Sequence, residues 1–254
     1  MSMDEMRLYI MNCGNMITPE GNVLAALNTG QLKLVIPVPV YLLAHPKQGL
    51  VLIDTGFRYE HIPDEMKMNI AWSPLLRIRT QISRQGYDPD DVKHVLLSHL
   101  HFDHAGQMMD FPKAVFHMRK SEWEDALPPS RPDYFECDYK EAHTLRFEYI
   151  PEEKDQDIFG DGSVISMATP GHSKGHSSFI VSMPNSGKFL LAMDAAHLPQ
   201  YMEDTKFFAD SKDPAGCIRS VEKLKKLQKE CVRTIYGHDP AGFSGLKTAP
   251  DYYD

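Results

Sequence analysis

Within six residues the chain sets three imidazoles and a carboxylate, His99, His101, Asp103 and His104, in the segment SHLHFDHAG. A hydrophobic core has no use for such a group, because each buried nitrogen or oxygen needs a partner and each buried charge needs compensation. Metal cations meet both demands. In a tight turn or helix start leaving a strand, His99 and His101 can point to one ion while Asp103 and His104 reach a second. Two ions about 3.5–4 Å apart can hold a hydroxide between them. Each zinc-like ion takes about four or five partners, so further ligands are required.

The rest of the chain offers them where apolar runs stop. His172 stands in TPGHSKGH after VISMA, Asp194 ends FLLAMD, and His238 follows TIYG. A lone histidine in such a place is by default a satisfied structural residue. Here the three complete a ligand inventory opened by HxHxDH, which reverses that default. Cys13, Cys137, Cys217 and Cys231 lie far apart with no CxxC pair, so they read as reduced structural thiols and the site is built from nitrogen and oxygen. His45, His61, His94, His117 and His143 show no partner pattern and read as surface or structural residues.

Strands must deliver these ligands. The run KHVLLS over 93–98 reads as a buried strand that stops where the ligands begin, and Ala105 and Gly106 are small enough for a helix start to come close. Ligands at strand ends match the usual placement of chemistry in α/β proteins. Further strands are predicted over 7–11, 38–44 and 49–54, and a second set over 163–169, 177–183 and 188–193. Helices are predicted over 75–85 and 121–127, the latter stopped by Pro128 and Pro129. A third opens at Asp213 with Pro214 in its first turn and sets Cys217, Ile218, Val221, Leu224 and Leu227 on one face. Two β-rich halves with flanking helices predict a four-layer αββα sandwich, although a generic α/β sheet satisfies the same periodicity, so the motifs decide.

The whole chain bounds the function. Its 254 residues, 42% hydrophobic and 24% charged, suit one globular domain over 1–254 with no visible linker, repeat or low-complexity tract. A net charge of −8 and a pI near 5.8 oppose a phosphate-backbone binder, so no nucleic-acid partner is expected. Lys223, Lys225, Lys226 and Lys229 read as the solvated face of a helix. The start MSMDEMRLYI carries two acids before its first arginine, unlike a secretory signal. No run approaches the roughly 18 apolar residues of a membrane span. A cytoplasmic protein is expected.

SHLHFDHAG, TPGHSKGH, LLAMDAAH and YGHD, together with LIDTG ending at Gly56, resemble the metallo-β-lactamase superfamily. Their order and surroundings, over about residues 7–253, are similar to those of the N-acyl homoserine lactone lactonases. The resemblance implies the four-layer αββα sandwich of the metallo-β-lactamase type and two divalent ions. Zinc is the first choice, and iron, cobalt and manganese suit the same donors. It places His99, His101 and His172 on one metal, Asp103, His104 and His238 on the other, and Asp194 between them. Asp54 of LIDTG would orient a ligand imidazole. His176 would either support the site or pack its loop. Lactonases of this type usually carry tyrosine three residues after the bridging aspartate, and this chain has His197 there.

The implied reaction is attack by a metal-bridging hydroxide on a lactone carbonyl, the opening of N-acyl homoserine lactones that quenches quorum signals. Asp103 is the expected proton carrier to the departing alkoxide, with His197 as second candidate. Met16, Leu24, Leu27, Phe57, Met66, Met68 and Trp72, and likewise Phe207 and Phe208, are too apolar for wholly solvated loops. They fit an acyl pocket, a lid or a homodimer contact equally well. The alternative is another lactone, or a thioester as in glyoxalase II, which normally adds a C-terminal helical region where only sixteen residues follow His238 here. β-Lactamase, nuclease and flavo-diiron chemistry fit less well, for want of an export signal, of a basic clamp and of room for a flavin domain. A non-catalytic module on this fold predicts a missing ligand, and none is missing.

Overall fold

The computed structural model describes residues 5–19, 33–204 and 211–254. Twelve strands are seen among them: β1 (Arg7–Pro19), β2 (Lys33–His45), β3 (Gly49–Ile53), β4 (Ile70–Ala71), β5 (Val92–Leu96), β6 (Val115–Arg119), β7 (Arg146–Ile150), β8 (Gln156–Asp157), β9 (Val164–Ala168), β10 (Ser177–Met183), β11 (Gly187–Met193) and β12 (Arg233–Tyr236). They form two sheets, ordered β4-β1-β2-β3-β5-β6-β7 and β12-β11-β10-β9-β8. In the first, β3, β5, β6 and β7 run parallel, and in the second β11 and β12 do.

Three separate apolar clusters show why there are four layers. Side chains alternate across a strand, so Leu8 and Ile10 of β1 turn to one face and Tyr9 and Met11 to the other. Leu8, Ile10, Leu43, Val51 and Ile53 meet Phe179, Val181, Phe189 and Leu191 between the two sheets. On the outside of the first sheet, Tyr9, Leu42 and Leu52 pack with Ile78 and Ile82 of the helix Ile78–Arg84. On the outside of the second, Ile180, Leu190 and Ala192 pack with Cys217, Val221 and Leu224 of the helix Pro214–Gln228. Strands covered on both faces read as nearly continuous apolar runs, as these do. Arg119, fully buried, pins the sheets together by donating to the hydroxyls of Ser166 on β9 and Ser177 on β10.

The helix Pro214–Gln228 starts as predicted, with the Asp213 carboxylate accepting from the Gly216 N–H. The second helix predicted is shorter than expected, Glu122–Ala126, and the first begins only at Ile78, after a 3-10 turn Pro74–Leu76. β1 and β2 run well past their expected ends and stay paired to Pro19 and Lys33 through a bulge between Asn12 and Asn15. The strands β6 and β7 have no counterpart in the sequence-based reading. β7 is an edge strand whose Arg146, Glu148 and Tyr149 face solvent, so it lacks a clear apolar signature.

Leu24, Leu27, Phe207 and Phe208 lie outside the described residues. Of the other apolar loop residues, Phe57 is a core residue, 1% exposed. Trp72 stacks on Tyr59 with ring centroids 4.6 Å apart, and Met66 packs against the same cluster. Met68 alone of the set stands in solvent, 82% exposed. No described helix is long and apolar enough to cross a membrane.

Candidate metal centre

Each expected ligand leaves the C-terminal end of a strand, and those ends open at one edge of the sandwich. His99 follows β5, His172 follows β9, Asp194 follows β11 and His238 follows β12. Asp103 and His104 sit on a one-turn helix, Phe102–Ala105, that begins directly after His101, which is itself extended. A backbone bond from the Ser177 N–H to the Ser98 carbonyl, 2.9 Å, joins the two sheets beside the ligands.

All seven expected ligands are brought together. Ligand atoms of His99, His101 and His172 converge, as do those of Asp103, His104 and His238, and Asp194 meets His99 and His104. Nε2 of His99 and Nε2 of His172 each lie 3.0 Å from Nδ1 of His101. Asp194 reaches both groups: Oδ1 is 3.3 Å from Nε2 of His104 and of His238, and Oδ2 is 3.4 Å from Nε2 of His172. Nε2 of His104 and Oδ1 of Asp194 are buried with no hydrogen-bond partner. Nitrogen atoms converging at 3.0 Å, together with unpaired buried polar atoms, are costly unless a cation sits among them. The arrangement therefore fits two divalent metal ions, in a nitrogen and oxygen donor set.

The surroundings orient the rings. Nδ1 of His104 donates to Asp54 Oδ2 at 2.7 Å, and the same carboxylate accepts the Ser98 N–H and hydroxyl, each at 2.7 Å. Nδ1 of His99 is 2.9 Å from Ser98 Oγ, and Nδ1 of His238 donates to the Pro37 carbonyl at 2.8 Å. Asp54 thus has the orienting place expected of it. Asp54 and Met193 are the non-glycine residues with positive φ among those described, at 58° and 50°. Each costs about 1–3 kcal/mol, a strain located where β3 and β11 turn into the site. Gly237 allows the close approach on the far side, since a Cβ there would lie 2.7 Å from Asp194 Oδ1.

Burial lowers the pKa values of His99, His101 and His172 far below the usual imidazole range, so these rings are neutral. Burial opposes charge on His104 and His238 too, but Asp194 and Asp103 outweigh it and hold both above that range, with Asp54 helping at His104. For Asp194 burial is overcome by His104, His238 and His197, which hold the carboxyl well below its usual range.

His176 supports the centre and has no free nitrogen to offer it. Its Nε2 accepts the Asp194 N–H at 3.2 Å, its Nδ1 faces Thr169, and burial pushes its pKa down to about 3. His197 lies inside the centre, with Nε2 3.1 Å from Asp194 Oδ2. The remaining histidines stand apart: His94 and His117 bond each other at 3.0 Å, and His45 and His61 face Asp161 and Asp138.

Glu122 is the residue that sequence reasoning missed. Fully buried, its carboxylate accepts from the Leu100 N–H, the Tyr134 and Ser173 hydroxyls and the Gly175 N–H, at 2.7–3.1 Å. It ties the His99–His101 turn to the His172 loop, and Gly175 must be glycine because a Cβ would lie 2.6 Å from the Glu122 nitrogen. In SEWEDALPP one acid among three gives no hint of this burial.

The chain matches the family model described as the metallo-beta-lactamase superfamily over residues 35–238. It is 33% identical to the N-acyl homoserine lactonase AttM of Azorhizobium caulinodans, over 99% of this chain and all of that protein. It is 32% identical to the N-acyl homoserine lactonase AiiA of Bacillus thuringiensis subsp. kurstaki, over 97% of this chain and 98% of the other. A crystal structure of an N-acyl homoserine lactone hydrolase, with N-hexanoyl-L-homoserine as product at its catalytic metal centre, superposes with a TM-score of 0.84 at 30% identity. That superposition covers 97% of this chain and 98% of the other. Ligand geometry, layered fold and full-length similarity agree: the chain belongs to the metallo-β-lactamase superfamily and is similar, within it, to the N-acyl homoserine lactonases.

Proposed function

We propose that this protein is a metal-dependent hydrolase that opens the ring of N-acyl homoserine lactones and so quenches quorum signals. The observation that carries the reading is a complete seven-ligand cluster in a chain a third identical, end to end, to named lactonases. His99, His101 and His172 would hold one ion and Asp103, His104 and His238 the other, with Asp194 shared; zinc suits these donors. Bound there, two such ions supply a nucleophile by lowering the pKa of water, and they polarise a carbonyl oxygen.

The chain's own residues do the rest. Asp103, with Oδ2 3.5 Å from Nε2 of His238 and 3.6 Å from Nε2 of His104, is placed to hold the proton released by the attacking water and pass it to the departing ring oxygen. His176 and Glu122 fix Asp194 and the two histidine loops, so the site is positioned before substrate arrives. His197, 18% exposed at its side chain, stands beside Asp194 at the rim of the site. A free cytoplasmic enzyme, alone or as a homodimer, is the accompanying proposal, checked by cell fractionation and by sedimentation of the purified protein.

The test is a substrate panel: metal-loaded protein with acyl homoserine lactones, simple γ-lactones, thioesters and a cephalosporin, followed by proton release. Turnover of the acyl homoserine lactones above the others is the expected result. Cleavage of a thioester with the lactones left intact overturns the reading.

A further inference from the structure

We propose that His197 is itself a metal ligand, completing the coordination of the ion held by His99, His101 and His172; this rests on the two-ion reading of the site. Ligand atoms of His172, Asp194 and His197 lie within 4.8 Å of one another. Nε2 of His197 is 3.1 Å from Asp194 Oδ2, the oxygen that Nε2 of His172 approaches at 3.4 Å.

The ring is also held as the other ligand rings are held. His99, His104 and His238 each turn one nitrogen to the cluster and engage the other with Ser98, Asp54 or Pro37. His197 repeats the pattern, with Nε2 in the cluster and Nδ1 3.1 Å from the Tyr201 hydroxyl. Metal-bound histidines characteristically engage their second nitrogen in this way. His176 provides the contrast. Its ring centroid is 5.2 Å from that of His99, yet its Nε2 lone pair is used by the Asp194 N–H. Proximity alone therefore does not make a ligand here: His176 turns its Nε2 to a backbone N–H, whereas His197 turns its Nε2 to Oδ2 of Asp194, the carboxylate that the ligand rings share.

The backbone holds His197 in place as well. Its carbonyl accepts the His238 N–H at 3.0 Å, and the Ala196 carbonyl accepts the Gly237 N–H at 3.1 Å, so its turn is fastened to the loop that carries His238. One ion then has four imidazoles and the shared carboxylate, near the upper limit for zinc at about five donors. The other ion has two imidazoles and two carboxylates, which leaves the open positions on the Asp103 side.

Paramagnetic NMR of the protein loaded with cobalt(II) tests the assignment, because each coordinated imidazole contributes one strongly shifted, exchangeable ring N–H signal. The wild type should show six, from His99, His101, His104, His172, His197 and His238, with two cobalt ions per chain. His197→Ala should show five at unchanged cobalt content, and Tyr201→Phe should keep six with one exchanging faster. Five signals in the fully loaded wild type overturn the assignment, whatever the fate of the alanine variant. Fewer than two cobalt ions in the wild type overturn the two-ion reading and the assignment with it.

Discussion

His99, His101 and His172 are kept neutral by burial, whereas His104 and His238, no less buried, are kept charged by Asp194 and Asp103. The first group presents lone pairs that a cation can take directly. The second stores protons in the metal-free chain, and a cation must displace them. The carboxylates that make the second group a strong binding site for metal also make it a strong binding site for protons. Each half is tied to its surroundings by a different buried carboxylate, Glu122 beside the neutral rings and Asp54 beside the charged ones.

Asp194→Ala breaks the comparison most severely, because it removes the one group common to both halves and leaves His104 and His238 without their main counter-charge. Breaking a buried ion pair costs about 3–5 kcal/mol. The metal-free variant should unfold at correspondingly lower denaturant, and the loaded one should retain fewer than two ions by elemental analysis. Retention of both ions at wild-type stability contradicts the shared role.

Glu122→Gln should act on the neutral half alone. The amide offers one acceptor where the carboxylate offered two, at about 1–3 kcal/mol for each donor left unpaired. Chelator competition should show the ion at His99, His101 and His172 weakened by about 10–100-fold, the usual range for orienting groups, with the other ion retained. Equal loss of both ions means that Glu122 serves the fold and not that half.

Proton release separates the halves without mutation. Below their raised pKa values His104 and His238 carry protons in the metal-free protein, so filling their half there should release up to two protons, and its affinity should rise with pH. The neutral half should release fewer. Titration calorimetry in buffers of different ionisation enthalpy measures both. The same shifts have opposite effects on the stability of the metal-free chain. Raised values at His104 and His238 add stability that is present below the ordinary imidazole pKa of 6.5 and is lost as pH rises through their folded values. Lowered values at His99, His101 and His172 subtract stability as pH falls below 6.5.

Tyr134→Phe should have the smallest effect. It deletes one hydroxyl donor to Glu122 beside the His101 ring, whose centroid lies 4.5 Å from that of Tyr134. The expected loss is about 1 kcal/mol of stability by chemical denaturation, with both ions kept. A loss as large as that of Glu122→Gln places the weight of the network on the hydroxyl.

The residues gathered at the candidate metal centre were legible in the sequence because metal chemistry constrains residue type and local spacing, and because apolar runs mark the strand ends where His172, Asp194 and His238 stand. The layered fold was legible for a related reason: strands buried on both faces leave continuous apolar runs, while the exposed edge strand β7 leaves none. Glu122 and Tyr201 were not legible, since an acid in an acidic stretch and a tyrosine in a one-turn helix look the same whether buried or exposed. Phe57 stayed open between pocket, lid and contact because an apolar loop residue suits each, and only packing seats it in the core.

By itself, then, the chain determined its candidate donor set and its two β-rich halves, because those depend on residue chemistry and on periodicities a few residues long. Tertiary structure alone decided which rings are neutral and which charged, that His176 spends its lone pair on a backbone N–H, and that His197 turns its Nε2 to the shared Asp194. Those outcomes depend on atoms from strands far apart in sequence meeting within about 3 Å, the hydrogen-bond distance at which protons and lone pairs are assigned.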